Sequence, residues 1–385
     1  MKKILIVNNN LHIGGIQKSL VNLLNEISDK YDVDLLLFYN AGELSESLPP
    51  NVNVISGGFL TKILGMTYAE AKNEGFFTCA ARVFWTIMTR IFKIGFTFGA
   101  ITKMSHIKGK YDAAVSFMQN GNERVFYGGC AEYVLNSVDS DLKICFIHCD
   151  FKNYGGNNCY NRRTLMKFDR IAAVSDSVGK NLLTAVPQLG GRVFTVRNCF
   201  DYDEMERKSM RYIPGYTEGI INIFSAARFH SEKGILRMIP IFDRIKHRGF
   251  EFVWRIAGDG PDRAQAENLI RQYKLEQNIV ILGNLPNPYP YFKRSDIVLV
   301  PSYNEAAPMV YNEAAFFGTP VFTTDTTSAK EIIEKNGFGT VCENNDFDIE
   351  DRLCLEIQNF KPHKNKTVNF DNSAALSEFD EIINN

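Results

Sequence analysis

The stretch PSYNEAAPMVYNEAAFFGTPVFTTD, Pro301 to Asp325, decides how the chain is read. Two carboxylates, Glu305 and Glu313, stand eight positions apart, with Pro308 between them and Gly318 and Pro320 behind. Proline is favoured at the first helical position, because the N–H it lacks would have no partner there. Glycine is the usual residue just past a helix end, and a proline soon after blocks continuation. These signals predict a helix over about 308–317. Glu305 then lies in the loop before the helix and Glu313 inside it. The next run, PVFTT, has the form of a buried strand. A helix start offers unpaired N–H groups and a positive dipole end, which suit an anion. A carboxylate on either side accepts hydrogen bonds from the hydroxyls of a polyhydroxylated ligand. Acids also gather near helix starts for local electrostatic reasons, so spacing alone leaves the functional reading open.

The chain of 385 residues is long for one domain and comfortable for two. With 45% hydrophobic and 23% charged residues it has a globular composition. Its net charge of −1 hides an asymmetry. Residues 1–200 carry 22 Lys/Arg against 16 Asp/Glu, and the remainder carries 21 against 28. A basic half suggests a surface that faces something anionic, either nucleic acid or a membrane. The opening MKKILIVNNN has too short an apolar run for a signal peptide and reads as a first strand. No uncharged run approaches the roughly 18 residues that a membrane span needs. The eight cysteines include no C-x-x-C pair, which fits free thiols in a reducing cytoplasm. Cys145, His148 and Cys149 lie close in sequence, but on an apolar strand and its end with no second ligand pair, so no metal site is expected.

Short apolar runs alternate with helical segments throughout. KILIV (3–7), VDLLLF (33–38), AAVSF (113–117), KICFIH (143–148), RIAAVS (170–175) and RVFTV (192–196) read as strands. So do INIFSAA (221–227), FVWRIAG (252–258), IVILG (279–283), IVLVP (297–301) and PVFTT (320–324). Continuous apolar runs separated by helices mark a parallel sheet buried on both faces. Repetition of that alternation implies an α/β protein of two doubly wound domains. The polar stretch 198–219 holds Pro and Gly and precedes a fresh strand, so the domains are placed at 1–199 and 200–365.

Other chemistry-bearing positions follow strands. Gly14 and Gly15, in NNNLHIGGIQKSLVNLL, let the backbone approach a ligand at the carboxyl edge of the first strand, where open α/β sheets bind ligands. Turns use such glycine pairs constantly. Arg228 and Lys233, in SAARFHSEKGI, are five apart across a turn and suit one pyrophosphate, though isolated surface cations are commoner. Gly258 and Asp259 sit in the turn of WRIAGDGPD, and Asn284 and Leu285 follow the strand IVILG. His148 ends the strand KICFIH, a place where a lone histidine is more often structural.

The pattern PS-x-x-E-x-x-P-x-x-x-x-E-A, followed by GTPV and TTD, closely resembles the E-x7-E donor-site signature of the GT4 family of retaining glycosyltransferases. That family has the GT-B architecture of two doubly wound Rossmann-like domains facing each other across a cleft. The resemblance spans nearly the whole chain and is strongest over 221–333. It implies transfer of a hexose-type sugar from a nucleoside-diphosphate sugar, with a UDP-sugar expected, to a hydroxyl of a glycan or lipid-linked acceptor. Retention at the anomeric carbon, no required metal and no cofactor beyond the donor go with it, as does a setting in bacterial cell-surface polysaccharide synthesis. In this reading Glu305 holds the donor sugar and Glu313 the ribose hydroxyls. Ala306, Ala307, Pro308, Met309 and Val310 complete the donor loop, and Arg228 and Lys233 clamp the diphosphate. The backbone of Gly14 and Gly15 lies near the phosphates, Gly258 and Asp259 lie beside the donor, and Asn284 and Leu285 hold the base. His148 lies near the transferred sugar. The resemblance also implies that the final helix, within 366–385, returns to the first, acceptor-side domain. One departure stands out: many relatives have E-G-F-G where this chain has Glu305-Ala306-Ala307-Pro308.

Residues Gly75 to Tyr111 contain no acid. They hold Arg82, Arg90, Lys93, Lys103, Lys108 and Lys110 with interleaved phenylalanines and Trp85. This mixture suits an interfacial helix on anionic lipid, which places the protein on the inner face of a cytoplasmic membrane. No RNA-binding motif accompanies it, so nucleic acid is not expected as a partner. The plain alternative is a buried helix pair with lysines at its rim. Two functional alternatives remain: a nucleotide-sugar epimerase on the same fold, and a non-catalytic partner subunit.

Overall fold

The computed structural model describes residues 1–216, 219–360 and 370–384. The chain forms two compact units, Met1–Phe200 with Asn372–Asn385, and Asp201–Asp371. The first is built on β1 (Lys3–Asn8), β2 (Asp32–Leu37), β3 (Asn53–Ser56), β4 (Lys110–Ser116), β5 (Asp139–Ile147), β6 (Arg170–Ala173) and β7 (Val193–Thr195). The second uses β8 (Ile221–Ala226), β9 (Phe252–Ala257), β10 (Ile279–Gly283), β11 (Ile297–Val300), β12 (Val321–Thr324) and β13 (Gly339–Cys342).

The first sheet is seven-stranded, in the order β3-β2-β1-β4-β5-β6-β7. The second is six-stranded, in the order β10-β9-β8-β11-β12-β13. The ladders are parallel, for example Ile4 beside Val33 and Val298 beside Val321. Strand order reverses between β1 and β4 and again between β8 and β11. Such switch points leave a crevice at the carboxyl ends of the strands, the usual ligand position in open α/β sheets. In the second unit, Phe242 packs its ring 4.6 Å from Phe252 and 4.9 Å from fully buried Trp254. The Trp254 indole donates to Ser225 Oγ at 2.9 Å, so the one polar atom of that ring is satisfied.

Each apolar run expected to be a strand forms one, with ends shifted by a few residues. Two edge strands, β3 and β13, escape the sequence pattern. NVIS is half polar and half-buried, and GTVC opens on a glycine. Gly339 has φ +153, and a Cβ there would sit 1.9 Å from the carbonyl of Val321. The glycine is what lets β13 pair against β12. The helix expected over 308–317 runs over Met309–Phe316, with Pro308 as its extended cap (ψ 135) and not its first residue. Gly318, at φ +69, ends it. The final helix is Ser373–Asn384 and belongs to the first unit, whereas 361–369 lie outside the described residues.

The basic aromatic segment is a helix over Phe76–Lys103, broken at Lys93, where φ is +64. Its cations do not form one surface. Arg82 is buried and donates to the carbonyls of Ile63 and Phe126. Lys93 pairs with Glu123 at 2.6 Å and Lys110 with Asp141 at 2.6 Å. Phe98 is buried. Arg82, one of the cations counted toward the interfacial reading, is thus unavailable to a surface, because its guanidinium bonds carbonyls inside the unit. Arg90, Lys103 and Lys108 are exposed.

Candidate active site

The second unit's switch point gathers a cluster from the ends of β8 and β11. After β8 the chain makes a tight turn, Ser231–Lys233, and reaches Gly234 at φ +68. A Cβ on Gly234 would lie 2.0 Å from the carbonyl oxygen of Pro301, so only glycine lets these loops touch. The backbone N–H of Tyr303 donates to the carbonyl of Glu232 at 2.8 Å and fixes the contact. Lys233 Nζ then meets Glu305 Oε1 at 2.6 Å, with side chains only 19% and 12% exposed. Ser302 Oγ donates to the same oxygen at 2.8 Å.

A second layer holds the loop. The Arg237 guanidinium stacks over Tyr303, 4.2 Å from the ring centroid. It donates to Asn344 Oδ1 at 2.6 Å and to Asp346 Oδ1 at 2.8 and 3.0 Å. Asn344 in turn donates to the carbonyl of Tyr303 at 3.0 Å. The Thr327 N–H donates to the carbonyl of Glu305 at 3.1 Å, and Ser328 Oγ donates to that of Ala306. Glu305 is thus held from both backbone and side chain.

Helix Met309–Phe316 begins behind this loop. No side chain caps it and no acid occupies its first turn, so the positive end of its dipole has no charged partner within the helix. Glu313 lies within the helix and is buried. Ala306 and Met309 are buried and Ala307, Pro308 and Val310 half-buried. A lysine with three donors, two carboxylates and an open helix start can take a diphosphate and a polyol side by side.

The neighbouring loops are shaped by glycine. Gly258, at φ +146, would place a Cβ 1.9 Å from the carbonyl oxygen of Ala227. Asp259 accepts the Gly260 N–H at 2.7 Å and an Arg263 bond at 3.0 Å. Those donors, the Gly260 N–H first, hold its carboxyl below the usual range. Its carboxylate serves its own turn. Arg228 is 75% exposed and lies 3.5 Å from Glu232. It does not converge with Lys233, which is turned toward Glu305. Asn284 is exposed and Leu285 half-buried, just past the end of β10.

Residues 210–361 match the family model described as "Glycosyl transferases group 1". The chain carries a group 1 glycosyl transferase domain. The gpi3 subunit of phosphatidylinositol N-acetylglucosaminyltransferase from Schizosaccharomyces pombe is 25% identical over 250 residues, 63% of this chain and 53% of that protein. The putative glycosyltransferase EpsF of Bacillus subtilis is 31% identical over 179 residues, 44% of this chain and 46% of that one. The chain therefore spans about half the length of the curated relatives it matches. Among solved structures, sucrose-phosphate synthase from Thermosynechococcus elongatus superposes with TM-score 0.66 at 12% identity, over 93% of this chain and 90% of that one. Anabaena HepE, solved in complex with UDP, gives 0.61 at 14% identity, over 93% and 90%. The fold is GT-B.

In this glycosyl transferase domain the residues that sequence reasoning passed over are Ser302, Gly234, Arg237 and Asn344. Ser302 and Gly234 stood in view, three residues before Glu305 and directly after Lys233. Arg237 and Asn344 left no local signal, because their partners are over a hundred positions distant for the Arg237–Asn344 bond and 41 for Asn344–Tyr303.

The first unit holds the remaining candidates. Gly14 caps helix Gly15–Ile27 with extended backbone (φ −171), so it needs no glycine for φ. A Cβ there would lie 2.6 Å from Gln17 Oε1, the end of a flexible side chain that can turn aside, so space does not demand glycine either. That helix start also lacks a side-chain cap. His148 stacks on Phe146 with ring centroids 5.6 Å apart, and its backbone N–H donates to Gln119 Oε1 at 3.0 Å. Burial pushes the imidazole down to about 3, against a smaller opposing contribution from the Phe117 backbone. The ring is neutral at ordinary pH, and its enclosed Nε2 has no hydrogen-bond partner among the described residues. Past the end of β4, Gln119, Asn122, Tyr127 and Tyr154 line a cavity of about 250 Å³.

Proposed function

We propose that the chain transfers a hexose-type sugar from a nucleoside-diphosphate sugar, a UDP-sugar, to a hydroxyl of a glycan or lipid-linked acceptor. The reading extends to retention at the anomeric carbon, to GT4 membership and to work on cell-surface polysaccharide at the inner face of a membrane. What carries it is the Lys233–Glu305–Ser302 cluster beside the open start of helix Met309–Phe316. Lys233 keeps two N–H donors after meeting Glu305, and these are directed to the departing diphosphate. Charge grows on that group as the glycosidic bond breaks, so a fixed cation and helix N–H groups act most strongly in the transition state. Glu305 accepts from hydroxyls of the donor sugar and Glu313 from those of the ribose. Arg228 swings in from solvent to the phosphates. Gly14 and Gly15 contribute backbone N–H groups near them, and Gly258, Asp259, Asn284 and Leu285 border the donor. The neutral His148 ring offers a hydrogen bond to a sugar hydroxyl. No side chain is assigned as general base, so the leaving phosphate takes the acceptor proton. No metal and no further cofactor is required in this scheme.

The purified chain, incubated with UDP-, GDP- and ADP-sugars, tests the reading. A melting-temperature rise with one donor class, followed by sugar transfer or slow donor hydrolysis, is the expected result. Conversion of the free donor sugar into its epimer, or binding without any turnover, refutes it.

A further inference from the structure

Helix Phe76–Lys103 is turned inside out. Phe77, Ala80, Phe84, Ile87 and Ile91 recur every three or four residues and share one face. That face is in solvent: Phe77 is 83%, Phe84 55% and Ile91 62% exposed. The opposite side carries the polar groups inward. Arg82 is bonded to two carbonyls, and Thr89 Oγ1 lies 2.9 Å from Thr97 Oγ1 in the buried layer. Exposed apolar surface continues across the break at Lys93, where Phe92 before it and Phe96 after it are exposed with their rings 5.3 Å apart. Glu123 pins the break, pairing with Lys93 and accepting the Ile94 N–H at 2.8 Å on its carbonyl. A soluble surface rarely exposes so large a contiguous apolar patch without something to cover it.

We infer that this face inserts into the interface of an anionic lipid bilayer. Charge picks the occupant. Residues 75–111 hold no acid, and the exposed cations Arg90, Lys103 and Lys108 accompany the apolar face. A second copy of the chain would set these cations against their like, whereas anionic headgroups neutralise them. No helix of the described residues is long and apolar enough to cross a membrane, so the segment lies in the interface plane. The inference rests on the helix alone and stands whether or not the sugar-transfer reading holds. It also changes the expected balance of forces: apolar insertion anchors the chain, and the cations choose the lipid.

Vesicles of equal parts phosphatidylglycerol and phosphatidylcholine should sediment the protein at low salt, and part of that binding should survive high salt. Phe84→Ser, Ile87→Ser and Ile91→Ser together should lower partitioning at least a hundredfold, since each apolar side chain is worth about tenfold or more. These positions are exposed, so the variant folds. Arg90→Gln with Lys103→Gln should lower it roughly fivefold per charge and erase the preference for anionic lipid. Brominated lipids should quench fluorescence of the intact chain and not of Trp85→Phe, because the second tryptophan, Trp254, is fully buried in the other unit. Binding that the triple serine variant retains, or absence of quenching, overturns the inference. So does a dimer in light scattering that ignores vesicles and falls apart in the triple variant, which assigns the face to a second copy.

Discussion

Lys233 and Glu305 meet at 2.6 Å from positions 72 residues apart, and Ser302 shares the same carboxylate oxygen. The pair is enclosed enough that neither charge is well hydrated. It leaves Lys233 with unused donors and Glu305 with a second oxygen, so ligand can be engaged without breaking the contact.

Lys233→Ala should lower kcat about a hundredfold to a thousandfold, the range seen when a fixed donor to developing charge is removed. The loss should fall on kcat and not only on KM. It should also leave Glu305 short of its partner. A double-mutant cycle with Glu305→Ala should then show a stability coupling of about 1 kcal/mol or more. Wild-type kcat in Lys233→Ala would make this an ordinary structural pair.

The two glutamates should separate by ligand. Glu313→Ala should weaken UDP itself about tenfold, as expected for a lost hydrogen bond to a charged acceptor. Glu305→Ala should spare UDP and weaken only the intact sugar nucleotide. Calorimetric titration of each variant with both ligands decides the matter, and equal affinities throughout would undo the assignment.

Gly234→Ala should damage the site without touching a ligand-facing side chain. The new methyl meets the Pro301 carbonyl at 2.0 Å, at a positive φ. Relief requires the loop bearing Ser302 and Glu305 to shift. A stability loss of about 1–3 kcal/mol and weaker donor binding are expected together. Unchanged melting and unchanged binding would show that the two loops are not mutually fixed.

His148 should make the chain acid-sensitive. Its folded pKa is pushed down to about 3, against about 6.5 in an unfolded chain. Between those values the unfolded state binds a proton that the folded state refuses. Stability should therefore fall as pH drops from about 6.5 toward 3, with a slope of up to about 1.4 kcal/mol per pH unit from this group. Above about 6.5 the group contributes no pH dependence. Denaturant unfolding across pH should give His148→Gln a shallower acid slope, and identical slopes would contradict the burial.

The strands of both sheets were legible because parallel strands buried on two faces must be continuously apolar, as ILIV and IVLV are. The edge strands β3 and β13 were not, since one is half polar and the other depends on Gly339 fitting against the Val321 carbonyl. Of the candidate site, Lys233 and Glu305 could be named because each sits just past a strand end. Their contact could not, because it depends on Gly234 meeting Pro301. Arg228 was expected beside Lys233, but five residues of turn direct it to solvent. The segment 75–111 misled in one respect: composition counts cations, whereas packing decided that Arg82 turns inward.

The last helix, Ser373–Asn384, bears on how the molecule is made. Phe379 and Ile382 are fully buried in the first unit, and Phe379 meets the Tyr31 ring at 6.0 Å. Asn372 clasps Phe200 through both its amide and its carbonyl, at 3.0 and 2.8 Å. Emergence from the ribosome runs from residue 1 onward, so the first unit waits for its closing piece until 201–371 have been synthesised. Until then Tyr31 and its neighbours lack their cover. The second unit has its whole sequence first and can complete its core earlier, which inverts the order of maturation relative to the order of translation.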